Sequence, residues 1–136
     1  GKNLLEETLK SVDILLPNKE ELQMMGGTSD IDLALEKLLL KTPCIAVKLG
    51  SKGSAIAIRR GFRTLSGYEF MYNEKYFSAV KEASPIDTTG AGDAFNAGFI
   101  DSFVKCENHV KWLESGNKLA SKVIMKKGAA SFYLNK

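Results

Sequence analysis

The sequence predicts an α/β fold, with helices flanking a mostly parallel sheet and an antiparallel hairpin added to it. Three observations predict this. Residues 1–50 alternate helix-like, strand-like, helix-like and strand-like segments, the pattern of strands joined through covering helices. The turn Gly50-Ser51-Lys52-Gly53 then separates two apolar strand-like runs, which marks a hairpin. A glycine-rich loop after Pro85 finally opens into two helical stretches.

The elements follow in chain order. Leu4, Leu5 and Leu9 recur at helical spacing within residues 2–11. Residues 12–16 form a short apolar run stopped by Pro17, read as a buried strand followed by a loop. Asn18 can cap what comes next, with Glu21 in capping-box position, and Gly26-Gly27 ends that turn. Ser29 is the expected cap of a helix over 30–41, with Ile31, Leu35, Leu38 and Leu39 on one side. Residues 44–49 read as the next strand, and Ala55, Ile56, Ala57 and Ile58 as the strand after the turn. Residues 62–80 are rich in aromatics, with strand-like stretches at 68–72 and 76–80. A helix over 91–105 places Phe95, Phe99 and Phe103 at i, i+4 spacing. A second over 109–126 buries Leu113, Leu119, Ala120, Val123 and Ile124, with Gly128 as its C-terminal cap. His109 is expected at the surface and Trp112 partly buried.

Composition bounds the function. A chain of 136 residues can form one domain with one core, and 44% hydrophobic with 26% charged residues is ordinary for a soluble globular protein. No apolar run approaches the roughly 20 residues that a membrane helix needs, and residues 1–12 are too charged for a signal peptide. Cys44 and Cys106 read as isolated buried thiols of a reducing cytoplasm. The single histidine excludes a His-based metal cluster within this chain. The net charge of +3 is mild. Arg59, Arg60 and Arg63 form the one arginine cluster, read as a charged edge strand rather than a nucleic-acid surface.

The chemistry concentrates in Asp87-Thr88-Thr89-Gly90-Ala91-Gly92-Asp93-Ala94-Phe95-Asn96-Ala97-Gly98. Two glycines two apart let the backbone approach a ligand and align successive N–H groups. A helix begins at once, and helix N-termini attract anions. The loop is a phosphate cradle by construction, although neither the dinucleotide fingerprint nor the P-loop spacing is present. Two roles are open to Asp93: an acid of the helix first turn, or a base that accepts the proton of an attacking hydroxyl. Phosphoryl transfer suits the second, since positioning and charge stabilisation do most of that catalysis.

Asp87-Thr88-Thr89-Gly90-Ala91-Gly92-Asp93-Ala94-Phe95 closely resembles the C-terminal signature of the ribokinase-like (PfkB) family of sugar kinases. The resemblance extends over roughly residues 12–131. It implies a partial ribokinase-like three-layer sandwich and an ATP-dependent transfer of a phosphoryl group to an alcohol of a sugar or related small molecule. It implies Asp93 as catalytic base and the Gly90, Ala91 and Gly92 backbone as the anion hole. Asp87 and the Thr89 carbonyl would hold a monovalent cation, K⁺ by expectation, with carbonyls at Gly128, Val123 and Lys126 completing the site. A structural alternative for Asp87 is a cap on the loop.

Other segments fit the same family. Asn18-Lys19-Glu20-Glu21 resembles its Asn-x-x-Glu motif, which organises Mg²⁺ and its waters. Mg²⁺ favours oxygen ligands and keeps several waters, and the capping-box role can coexist with this one. Lys48-Leu49-Gly50-Ser51-Lys52-Gly53 resembles the turn beside the nucleotide. Gly50 and Gly53 would permit close backbone approach; Lys48 can reach a phosphate or point to solvent. Gly116-Asn117 interrupts a helix at a cost of roughly 1 kcal/mol, and the resemblance implies Asn117 against the adenine. Residues 59–84 are longer than in the shortest members by about ten residues, read as an elaborated hairpin.

The resemblance matches the second half of a typical member. Residues 1–136 are therefore expected to be the C-terminal nucleotide-binding part of a kinase domain, with the N-terminal substrate and lid half absent and the active site incomplete. The parent is expected to be cytoplasmic and able to form a homodimer through the lid. Two alternatives stand beside the sugar kinase: a nucleoside or vitamin-precursor kinase of the same superfamily, and a non-catalytic nucleotide-binding or pseudokinase module.

Overall fold

The computed structural model describes residues 4, 7, 9, 11–80 and 90–134, with side chains described as far as Lys122. In chain order the elements are β1 (Ile14–Leu15), α1 (Lys19–Gly26), α2 (Ile31–Leu39), β2 (Cys44–Lys48), a 3₁₀ turn (Gly50–Lys52), β3 (Gly53–Ile58), β4 (Glu74–Ala79), α3 (Ala91–Val104) and α4 (His109–Leu134). Leu4, Glu7 and Leu9 are helical, ahead of β1.

The strands form one mixed sheet in the order β1-β2-β3-β4. β1 and β2 are parallel, joined through α1 and α2. β2, β3 and β4 then run antiparallel in succession. Alternation along each strand feeds two cores. Cys44, Ala46, Ile56 and Ile58 face Phe95, Phe99, Phe103, Trp112 and Leu113 from α3 and α4. Ile45, Val47 and Ala57 face Leu22, Leu35 and Leu38 from α1 and α2. β2 and β3 are buried on both sides, which is why their sequences are nearly continuous apolar runs. Each valine, leucine, isoleucine or phenylalanine among them contributes about 1.5–3 kcal/mol through burial. The result is helix, sheet, helix: three layers.

Several expectations are corrected. The cap of α2 is Asp30, whose side chain accepts from the Leu33 N–H; the Ser29 carbonyl instead accepts from Gln23 Nε2. A carboxylate at the helix start outcompetes a hydroxyl one residue earlier. Residues 68–72 form no strand. They return along residues 62–64 as a small side hairpin, bridged at Arg63 and Glu69, and the strand is β4. Trp112 is fully buried among Phe99 and Phe103, its indole N–H donating to the Glu107 carbonyl at 2.7 Å. His109 is half-buried and packs edge-on against Phe70 and Tyr76. Gly128 does not end α4, which continues to Leu134. One glycine costs roughly 1 kcal/mol in a helix, too little to stop a segment that continues through Ala129-Ala130 without proline.

Cys44 is buried as expected, and burial pushes its thiol up; Cys106 is exposed. The three arginines separate in space. Arg59 donates to the Leu39 and Leu40 carbonyls at the end of α2, the Arg60 N–H donates to Asn73, and Arg63 pairs with Glu69. Among the described residues no helix is long and apolar enough to cross a membrane.

Candidate active site

Two helix starts and one strand end meet at the upper edge of the sheet. The first start is α1. Asn18 Oδ1 accepts from the Glu21 N–H at 2.8 Å, and Glu21 Oε1 accepts from the Asn18 N–H at 2.9 Å. This reciprocal pair satisfies two of the four N–H groups left over at a helix start. Both side chains are exposed, so the capping box holds an amide and a carboxylate rigidly at the surface.

The second start is α3. Gly90 precedes it in the left-handed region, φ +88°, and no side chain caps it among the described residues. The Ala94 N–H donates back to the Gly90 carbonyl, so the N–H groups ahead of Ala94 precede the intrahelical ladder. Asp93 lies in this first turn and is exposed.

The strand end is Lys48, the last residue of β2. Its N–H donates to the Pro17 carbonyl at 2.9 Å, and Lys48 pairs with Asn18 in a parallel bridge. The strand thus delivers Lys48 beside the start of α1. Its side chain crosses to α3, where Nζ donates to Asn96 Oδ1 at 3.1 Å. A Cβ on Gly92 would lie 3.7 Å from this nitrogen. Burial pushes the Lys48 ammonium below its ordinary value, while the Glu21 and Asp93 carboxylates pull it back up. An ammonium set beside the positive end of a helix is disfavoured by the macrodipole. The two carboxylates and the Asn96 carbonyl offset that. Asn18, Glu21, Lys48, Gly92 and Asp93, separated by up to 75 positions in the sequence, therefore form one constellation.

A second group lies further across the sheet. Gly53 has φ +113°, and a Cβ there would collide with the Ser78 carbonyl of β4. Asn117 Nδ2 donates to the Ser78 carbonyl at 3.2 Å and to Ser78 Oγ at 3.1 Å. Gly50 sits at φ +62° in the 3₁₀ turn with no atom within 4 Å of a Cβ there. The hairpin alone therefore requires both glycines. Lys48, Ser54 and Ser78 are successive cross-strand partners, so a polar row on one sheet face joins the two groups. Ser54 in its middle is fully buried.

Asp87 and Thr89 lie outside the described residues, as do the side chains of Val123, Lys126 and Gly128. Among the described residues no group of three or more His, Cys, Asp or Glu stands ready to hold a metal ion. Oxygen-rich, water-mediated Mg²⁺ binding by Asn18 and Glu21 needs no such group. The capping box engages Glu21 through Oε1, which leaves the other carboxylate oxygen to accept from a metal-bound water.

The chain's similarities bear on what this arrangement is. The family model described as pfkB family carbohydrate kinase matches residues 1–135. The chain belongs to the PfkB family. An uncharacterized sugar kinase of Archaeoglobus fulgidus is 37% identical over 132 residues, covering 95% of this chain and 46% of that protein. A ribokinase of Arabidopsis thaliana is 36% identical over 131 residues, covering 90% of this chain and 31% of that protein. The structure of Arabidopsis thaliana ribokinase complexed with ribose and ATP superposes with a TM-score of 0.70 at 32% identity, over 88% of this chain and 37% of that one. The chain thus spans 31–46% of the length of these PfkB relatives.

Two residues of the PfkB chain's site escaped the sequence reasoning. Asn96 lies inside the loop-to-helix motif, three residues after Asp93, and that spacing is the signal that could have found it. Ser78 is a lone serine in an aromatic strand, and its contact with Asn117 follows only from the packing of α4 on β4.

Proposed function

We propose that this chain is the nucleotide-binding part of an ATP-dependent kinase that transfers the γ-phosphoryl group of ATP to an alcohol group of a sugar or related small molecule. One observation carries the reading. The start of α3, which no side chain caps among the described residues, with Gly90 left-handed and Asp93 exposed, lies beside an ammonium held next to Gly92. Free N–H groups, a cation and a carboxylate at one point are the parts that phosphoryl transfer uses. The similarity to a ribokinase complexed with ribose and ATP supports ATP as the donor.

In this reading the Gly90, Ala91 and Gly92 amides receive the transferring phosphoryl oxygens, and Lys48 adds its charge there. Asp93 takes the proton of the acceptor hydroxyl as that oxygen bonds to phosphorus. The bond from phosphorus to the β,γ-bridging oxygen breaks, and ADP leaves with the electron pair. Asn18 and Glu21 orient Mg²⁺ through its waters. Gly50 and Gly53 shape the turn beside the nucleotide, and Asn117 Oδ1, which its bonds to Ser78 leave available, meets the adenine amino group. Asp87, Thr89 and Gly128 supply oxygens for K⁺. The parent is a cytoplasmic enzyme that can pair as a homodimer; this chain alone binds nucleotide without turning over an acceptor.

The test uses the full-length protein with Mg²⁺ and ATP against a panel of sugars, sugar acids, nucleosides and vitamin precursors, reading ADP formation. One acceptor class is expected to stimulate ADP release. Asp93→Asn should lower that rate by about 10²–10⁴ while retaining MgATP binding. A rate indifferent to Asp93→Asn would move the base elsewhere. A protein that binds MgATP yet transfers to no acceptor would favour the non-catalytic nucleotide module.

A further inference from the structure

We propose that Asn96 is a positioning residue for the Lys48 ammonium, holding it on the helical face that also carries Asp93. The inference rests on the kinase reading above.

Asp93 and Asn96 are three residues apart on α3 and so project from neighbouring turns of one face. Asn96 Oδ1 accepts from Lys48 Nζ at 3.1 Å in a half-buried contact between β2 and α3. Lysine carries about 2 kcal/mol of rotamer entropy, and a single acceptor on a rigid helix restrains its far end. The ammonium has three N–H bonds. Asn96 takes one, and among the described residues it is the sole hydrogen-bond partner of Nζ. Two N–H bonds remain for phosphate oxygens.

The neutrality of the amide matters. The charged groups facing Lys48 are Glu21 from α1 and Asp93 from α3. A carboxylate at position 96 would add a third negative charge and hold the ammonium as a direct ion pair, in competition with phosphate. A carboxamide orients the ammonium without neutralising it. Because Asn96 and Asp93 share one helix, the cation and the base keep a fixed relation whatever the rest of the site does.

The test titrates the full-length protein with MgATP and MgADP by calorimetry, for wild type, Asn96→Ala, Asn96→Asp, Lys48→Met and the Lys48→Met/Asn96→Ala double variant. Melting temperatures accompany each. Asn96→Ala is expected to weaken MgATP about tenfold and MgADP less, and the double variant should bind no more weakly than Lys48→Met alone. Asn96→Asp is expected to weaken MgATP as well, because its carboxylate competes with phosphate for the ammonium. A purely structural Asn96 would move the melting temperature and leave these binding signatures in place. The proposal is overturned if the two losses add in full, or if Asn96→Asp, folded, binds MgATP as wild type does. Wild type that binds no MgATP overturns the kinase reading itself, before any variant is compared.

Discussion

The Phe95 ring occupies the space where Gly116 has no side chain. A Cβ at Gly116 would stand 2.6 Å from both Cδ2 and Cε2 of that ring. One turn along α3, Gly98 makes the reciprocal approach, where a Cβ would meet the Ser115 carbonyl. The pair lets α3 and α4 cross closely, and the crossing carries Asn117 to Ser78.

Gly116→Ala therefore tests packing against helix propensity. In an open helix the change would stabilise by roughly 1 kcal/mol. Here Phe95 is buried at 3% exposure and has little room to yield. Overpacking of this kind costs typically 1–3 kcal/mol, so a net loss is expected in urea unfolding. Adding Phe95→Leu should recover part of it.

Asn18 separates two roles by choice of substituent. Asn18→Ala should lower stability by about 1 kcal/mol through loss of the cap, whereas Asn18→Ser should retain the cap. If the amide also orients Mg²⁺ waters, both variants weaken MgATP binding. Thermal melts without nucleotide and titrations with MgATP read the two effects separately.

Lys48 gives stability a defined pH dependence. Its folded-state pKa is depressed, chiefly by burial and against the pull of Glu21 and Asp93. In the window from that depressed value up to the ordinary 10.5, the unfolded chain binds more protons than the folded one. Stability from this residue therefore rises with pH across the window. Below it the ammonium is charged in both states and the full desolvation cost applies. Unfolding free energies of wild type and Lys48→Met, measured from pH 7 to 10.5, should diverge least at the alkaline end. A constant difference would mean that the amine is fully hydrated.

Cys106 sits at φ +62° just past α3. The Glu107 N–H reaches the Ser102 carbonyl at 3.2 Å and the Cys106 N–H reaches that of Phe103 at 3.1 Å. This is the Schellman arrangement that favours glycine. A side chain in the left-handed region costs roughly 1–2 kcal/mol, so Cys106→Gly should raise the melting temperature. A lowered one would mean that the thiol contributes packing that its exposure does not suggest.

What the sequence disclosed and what it withheld divide along range. The Asn18–Glu21 capping box and the Gly90–Asp93 helix start depend on residues three apart, and both stand as read. The two cores follow from alternation in β2 and β3 and from the phenylalanine stripe of α3. The Lys48–Asn96 contact joins residues 48 positions apart, and no local pattern announces it. Gly50 and Gly53 were legible as glycines that something requires, but hairpin geometry suffices for both. Gly128 looked like a stop because glycine after a helical run usually is one; α4 simply continues. Asp30 displaced Ser29 as a cap because adjacent candidates differ by only a few tenths of a kcal/mol in such preferences.

The contrast between the two cysteines makes the molecule selectively addressable. Cys44 is sealed beneath α3 and its thiol is pushed up by burial, so its thiolate form is suppressed, while Cys106 stands open to solvent. A maleimide dye will attach at one sulfur without any mutation. That sulfur lies at the far end of α3 from Asp93, about 20 Å away along the helix axis. If the chain binds nucleotide as proposed, a fluorophore there would report its arrival by energy transfer from a labelled ATP analogue, at a distance from Asp93.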